Sequence, residues 1–118
     1  MKKTYQHATI EIGAQSAFTG NYTLRENYAR CTGFLLAPSS GGTDFGNLQV
    51  GLNIGQQEIL PQGCNACLFA MTEYVSRDEA TYDITAENIA ARSADVQVFV
   101  KNTSEEAQTF NVYFRLEN

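Results

Sequence analysis

One histidine and three cysteines are present among 118 residues, and these are the types from which a base, a nucleophile or a metal site would be built. A serine or cysteine hydrolase holds a base beside its nucleophile. His7 is the only imidazole, and it lies in a candidate strand with no partner suggested by spacing, so it reads as a surface residue. Cys64-Asn65-Ala66-Cys67 has the two-residue gap of a zinc half-site or a redox pair. A closed zinc site takes four ligands, and only Cys31 and His7 remain to complete it. A redox pair would open a helix in an alternating α/β chain, which the strand-rich pattern below contradicts. The cysteines read as structural, with a disulfide or a metal site on Cys31, Cys64, Cys67 and His7 as the alternatives.

Carboxylates gather at Glu73, Asp78, Glu79 and Asp83, around Arg77. Calcium would need two or three of them to converge with backbone carbonyls, but the spacing follows no ordered calcium loop, and the segment reads as a solvated acidic loop. A glycosidase needs two carboxyl groups at a set separation across a cleft. Nothing in the order of residues sets one, and tryptophan is absent. The nine glycines follow no phosphate-binding pattern and read as turn residues. The sequence therefore assigns no catalytic residue, no metal ligand and no cofactor, and the expectation is a protein that is not an enzyme.

Surface aromatics remain. The six tyrosines can pack a ring while keeping a polar tip wet. In the two clearest strands, Phe99 and Tyr113 fall opposite to the core positions, and exposed aromatics on an outer sheet face suggest contact with a partner. Together with Tyr74 and Tyr82 they form the candidate interface.

The elements that must position these side chains are strands. Phe110, Val112, Phe114 and Leu116 alternate with Thr109, Asn111, Tyr113 and Arg115, and Val96, Val98 and Val100 alternate with Gln97, Phe99 and Lys101. Period two means a strand with one buried face. The polar segment 102–107 between them suggests that the two pair as a hairpin. Leu48, Val50, Leu52 and Ile54 alternate with small polar Gln49, Gly51 and Asn53, and Gly55-Gln56-Gln57 then turns into Glu58-Ile59-Leu60, which Pro61 is expected to end. Tyr28 to Leu36 is a further strand, closed by the breakers of 38–44. Thr4 to Ile12, Tyr22 to Glu26 and Tyr82 to Thr85 are weaker candidates. Ala86 to Arg92, after the capping residue Thr85, has the composition of one short helix. The spacing gives seven to nine short strands, hence an all-β, antiparallel sandwich over a single domain, 1–118.

Bulk properties bound the partners. Thirteen acids against eight bases leave a net charge of −5, and the scattered Arg25, Arg30, Arg77, Arg92, Lys101 and Arg115 do not form the basic cluster that nucleic acid requires. No apolar run reaches the length of a bilayer span. Lys2-Lys3 has the charge of a secretory start, but Tyr5-Gln6-His7-Ala8 stands where an apolar segment would follow, so no export signal is read. The odd cysteine count suits a reduced compartment.

Asn47-Leu48-Gln49-Val50-Gly51-Leu52-Asn53-Ile54, then Glu58-Ile59-Leu60-Pro61-Gln62-Gly63, together with the Val96 to Leu116 segment, resembles the small single jelly-roll vertex (penton) or minor capsid proteins of tailless, membrane-containing icosahedral bacteriophages. The similarity covers about half the chain. It implies an eight-stranded jelly roll without enzymatic activity, and a structural, homo-oligomerising virion component. Its partners would be copies of itself and other capsid proteins, and it would be made in the host cytoplasm. The competing expectation is a β-sandwich module that binds a carbohydrate or a peptide through exposed tyrosines and the loops 38–47 and 73–81.

Overall fold

The computed structural model describes residues 3–25, 28–38, 43, 45–66, 81–85, 89–92 and 94–117. Among them nine strands run in the order β1 (Lys3–Ile12), β2 (Ala17–Thr23), β3 (Arg30–Pro38), β4 (Leu48–Ile54), β5 (Gln57–Asn65), β6 (Tyr82–Asp83), β7 (Ile89–Ala90), β8 (Asp95–Asn102) and β9 (Gln108–Glu117), with a 3-10 turn at Phe45–Asn47. All pairings are antiparallel. One sheet has the order β1-β9-β3-β6, with β7 also on β3, and the other β2-β8-β4-β5.

The order has a simple physical reading. Folded as one long antiparallel ribbon, the chain pairs β4 with β5 at the tip, then β3 with β6 and β7, β2 with β8, and β1 with β9 at the open end. Wrapping that ribbon joins β9 to β3 and β8 to β4, which is the winding of a jelly roll. The ninth strand arises because the partner of β3 comes in two short pieces, Tyr82–Asp83 against Phe34 and Gly33, and Ile89–Ala90 against Cys31 and Arg30.

Period-two alternation builds the core. Val96, Val98 and Val100 on β8, and Leu48, Val50, Leu52 and Ile54 on β4, are buried and belong to one cluster with Phe34 and Leu36 of β3 and Phe110, Val112, Phe114 and Leu116 of β9. Each such side chain withdrawn from water contributes roughly 1.5–3 kcal/mol before entropy is counted.

Four local expectations are corrected. β8 and β9 do not form a hairpin, because β8 lies in the β2-β8-β4-β5 sheet and β9 in the other. Their alternating valines and phenylalanines face one another across the core, and alternation looks the same for paired and for facing strands. Asn102 fixes the crossing: its side-chain N–H groups donate to the carbonyls of Gly13 (3.1 Å) and Glu106 (2.9 Å), and its Oδ1 accepts from Ser104 N–H (2.9 Å). The helix expected over Ala86 to Arg92 is replaced, where described, by β7, in which Ile89 is buried and Ala90 exposed, with Ala91 buried just after it. Pairing with β3 overrides helix propensity there; residues 86–88 lie outside the described residues. Pro61 does not end its strand, because β5 is a sheet edge and a missing N–H costs no ladder bond on that side. The weak Tyr22 to Glu26 candidate begins earlier, at Ala17.

Candidate ligand-binding face

A sandwich offers two outer faces, and here they differ in whether their polar groups already have partners. On the β1-β9-β3 face, Arg115 pairs with Tyr5 on one side and Gly33 on the other, and Tyr113 with His7 and Leu35. Arg115 is buried, its Nε donating to Thr32 Oγ1 (2.9 Å) and its Nη2 to the Thr32 carbonyl (3.0 Å), with Asp83 at 3.5 Å and Glu117 at 3.8 Å. The Thr85 hydroxyl and backbone N–H, with the Arg115 guanidinium a smaller influence, hold the Asp83 carboxyl below its ordinary range. Tyr5 hydrogen-bonds Thr81 at 3.1 Å, and the rings of His7 and Tyr113 lie 5.5 Å apart. The polar atoms of this face are largely engaged within the chain.

The β2-β8-β4-β5 face is built differently. The register lays Ala17, Lys101 and Gln49 in one row and Thr19, Phe99 and Gly51 in the next. On β5, the three residues between Leu60 and Cys64 stand against Gly51 alone, since Leu52 pairs with Leu60 and Val50 with Cys64. This bulge re-aims the strand, as bulges do beside binding sites. It folds Gln62 over Gly51 and sets Gly63 at φ 96°, in the left-handed region that favours glycine. The result is a groove of about 350 Å³ with the half-buried Phe99 ring and the side chains of Thr19, Gln49, Gln62 and Lys101 along it. Among the described residues, none of those four polar side chains has a hydrogen bond or ion pair within the chain.

Gly51 is what lets the bulge close. A Cβ there would stand 2.9 Å from Gln62 Cα and 3.1 Å from its backbone nitrogen, so backbone rather than a side-chain tip would have to give way. Gly51→Ala is expected to cost about 1–3 kcal/mol and to shift the Gln62 amide resonance, readable by denaturation and a two-dimensional NMR spectrum.

The four candidate interface residues do not form one site. Phe99 lies on the groove face and Tyr113 on the opposite face. Tyr82, 48 % exposed, sits on the short β6 with its ring 5.4 Å from Phe34. Tyr74 lies outside the described residues, as do Glu73, Arg77, Asp78, Glu79 and Cys67. Gln49, Gln62, Gly51, Thr19 and Lys101 were not singled out by sequence. The available signal was the small polar outer face of β4, and what it lacked was the register that sets Gly51 beside Phe99.

The three described candidate metal ligands do not converge. His7 is exposed on β1, Cys31 is buried in the core, and Cys64 is half-buried in the other sheet. No group of three or more histidine, cysteine or acidic side chains that could hold a metal occurs among the described residues. Burial pushes the Cys31 thiol from the ordinary 9.0 up to about 11. The folded state therefore keeps a proton that the unfolded chain releases, so this contribution is whole below pH 9 and is lost between pH 9 and 11. Burial also raises Tyr22, which extends the same trend. Unfolding midpoints of the parent chain are expected to fall across that window, and more shallowly in Cys31→Ala.

The fold and site thus define a jelly-roll β-sandwich with an open groove that sets Phe18 and Phe99 beside the polar side chains of Thr19, Gln49, Gln62 and Lys101. No family model and no curated protein matches the chain. Among solved structures it is similar to a mutant of PliG-Ec, a periplasmic inhibitor of g-type lysozyme from Escherichia coli, with 8% identity over 96% of this chain and 87% of that one and a TM-score of 0.45. FLHE is similar over 100% of both chains, with 8% identity and a TM-score of 0.46. Salmonella Typhimurium PliG, also a periplasmic inhibitor of g-type lysozyme, matches over 98% of this chain and 87% of that one, with 11% identity and a TM-score of 0.39. None of these is a capsid protein, and the two inhibitors are periplasmic. Against that finding, the expected virion role and the expected virion or cytoplasmic location do not stand. The pattern of strands and turns that suggested them belongs to an architecture, and an architecture does not carry a function. Among the described residues, no helix is long and apolar enough to cross a membrane.

Proposed function

We propose that the chain is a non-enzymatic carbohydrate-binding module that takes an oligosaccharide along the outer face of β2-β8-β4-β5. One observation carries this reading: the Phe99 ring shares its groove with Thr19, Gln49 and Gln62, whose polar side chains are unpaired within the described chain. A pyranose ring has a C–H face that packs on an aromatic ring and a rim of hydroxyls that both donate and accept. Side-chain amides do the same from one group, so Gln49 on β4 and Gln62 on β5 match hydroxyls along one rim of a ring seated on Phe99, with Thr19 of β2 on its other side. The groove volume of about 350 Å³ is within the range of small-ligand sites, about 300–1,000 Å³. An extended peptide adding to the neighbouring sheet edge is less favoured, because β5 carries Pro61 and two register shifts, features that blunt an edge.

Titrating labelled protein with a panel of oligosaccharides tests the reading. Binding is expected to move the backbone resonances of Thr19, Gln49, Gln62 and Phe99 and to leave those of His7 and Tyr113 in place. Shifts confined to the His7 and Tyr113 face, or no saccharide bound across the panel, would refute it.

A further inference from the structure

The groove face is electrically polarised along its strands. Among the described residues, Lys101 is the one charged side chain lining the groove. It is exposed and has no ion pair among the described residues, in a chain whose net charge is −5. It stands in the first row of the face, level with Ala17 and Gln49, with Phe99 in the second row. The face's acids occupy the far end: Asp95 is level with Thr23, and Glu58 with Asn53. Asp95 and Lys101 stand six positions apart on β8, roughly 20 Å along an extended strand.

We infer that the saccharide bound on this face carries a carboxylate, as a uronic or sialic acid does, and that the carboxylate is seated at Lys101; the inference rests on the carbohydrate reading above. Residues two apart on a strand lie about 7 Å from one another. A pyranose on Phe99, its own carboxylate and one hydrogen bond to an ammonium together span that distance. The orientation follows from the charges. An acidic ring placed at the Asp95 and Glu58 end meets like charge, and one placed at the Lys101 end meets the groove's cation. The chain's overall negative field disfavours anions elsewhere, so the local ammonium decides where an acidic group settles. Gln49, level with Lys101 across β4 and β8, supplies an amide donor for the second carboxylate oxygen.

The test is a glycan array followed by titration with matched pairs, oligogalacturonate and sialyl-oligosaccharides against their methyl esters, at low and high salt. Acidic members are expected to bind about 5- to 10-fold more tightly than their esters at low salt. The ratio is expected to shrink in high salt, where exposed charges are screened, to approach one in Lys101→Met and to persist in Lys101→Arg. Saccharide binding with no preference for acid over ester, or a preference that survives in Lys101→Met, would overturn the carboxylate inference while leaving the carbohydrate reading in place. Absence of all saccharide binding, including the case in which only acidic peptides bind, would overturn both.

Discussion

Phe110→Ala is expected to lower stability by about 3–5 kcal/mol, the range for a fully buried phenylalanine cut back to alanine. The side chain is 0% exposed, sits between Ile10 of β1 and Pro38 of β3 in the register, and meets Phe45 edge to face at 5.8 Å and 72°. Phe45 opens the 3-10 turn that leads into β4, so the ring pair ties one sheet to the entrance of the other. A void there has few neighbours free to collapse into it, because both flanking strands are held along their length. Against a total stability of about 5–15 kcal/mol for a domain, such a loss lowers the melting midpoint by roughly 10–20 °C. Chemical denaturation read by circular dichroism measures it. A loss below about 1 kcal/mol would mean that the two rings do not hold the sheets together.

Phe99→Ala is expected to do the reverse, leaving the fold nearly intact and removing most of the saccharide affinity. The ring lies outside the core, level with Thr19 and Gly51, so its removal opens no internal cavity and is expected to cost about 1 kcal/mol or less. Stacking on an aromatic platform contributes about 1–3 kcal/mol to a bound ring by analogy with nucleobases. Affinity is therefore expected to fall about 5- to 150-fold by calorimetry. Phe99→Tyr keeps the stacking surface and is expected to retain binding. Tyr113→Ala, on the opposite face, serves as the control that leaves it unchanged. If Phe99→Ala binds as the parent chain does, the groove is not the site.

Much of the fold was legible because period-two burial is a local signal. The alternation from Leu48 to Ile54 has the bounds of β4, and the valines of β8 and the phenylalanines of β9 take the inner face as their alternation requires. Strand partners were not legible. Val96 to Val100 and Phe110 to Phe114 look like a hairpin when read along the chain, and only the wrapping of the whole ribbon sets them in opposite sheets. Ile89 reads as helical from its neighbours, and its pairing with Cys31 is a contact of distant chain segments that no local pattern carries. The site follows the same rule. Phe99 was visible as an aromatic out of phase with the core, as was Tyr113. The difference between them, one beside unpaired amides and the other beside a largely satisfied Arg115 network, depends on register and on the bulge over Gly51. The virion reading failed for a related reason: strand spacing and turn composition report how a chain winds, and winding is shared among proteins of different work.

The pairing of β1 with β9 along ten residues of each has a consequence for how the chain is made. β1 leaves the ribosome first among the strands, yet its hydrogen-bonding neighbour is the last strand translated, and β3 waits for the same strand. Neither sheet-wide closure nor burial of Ile10 and Ile12 can be completed on a nascent chain that lacks residues 108–117. Closure of this domain therefore waits until β9 has been made and is free to pair. Until then its apolar rows stay open to whatever chaperone is at hand, and the interval is long because pairings between distant segments form slowly.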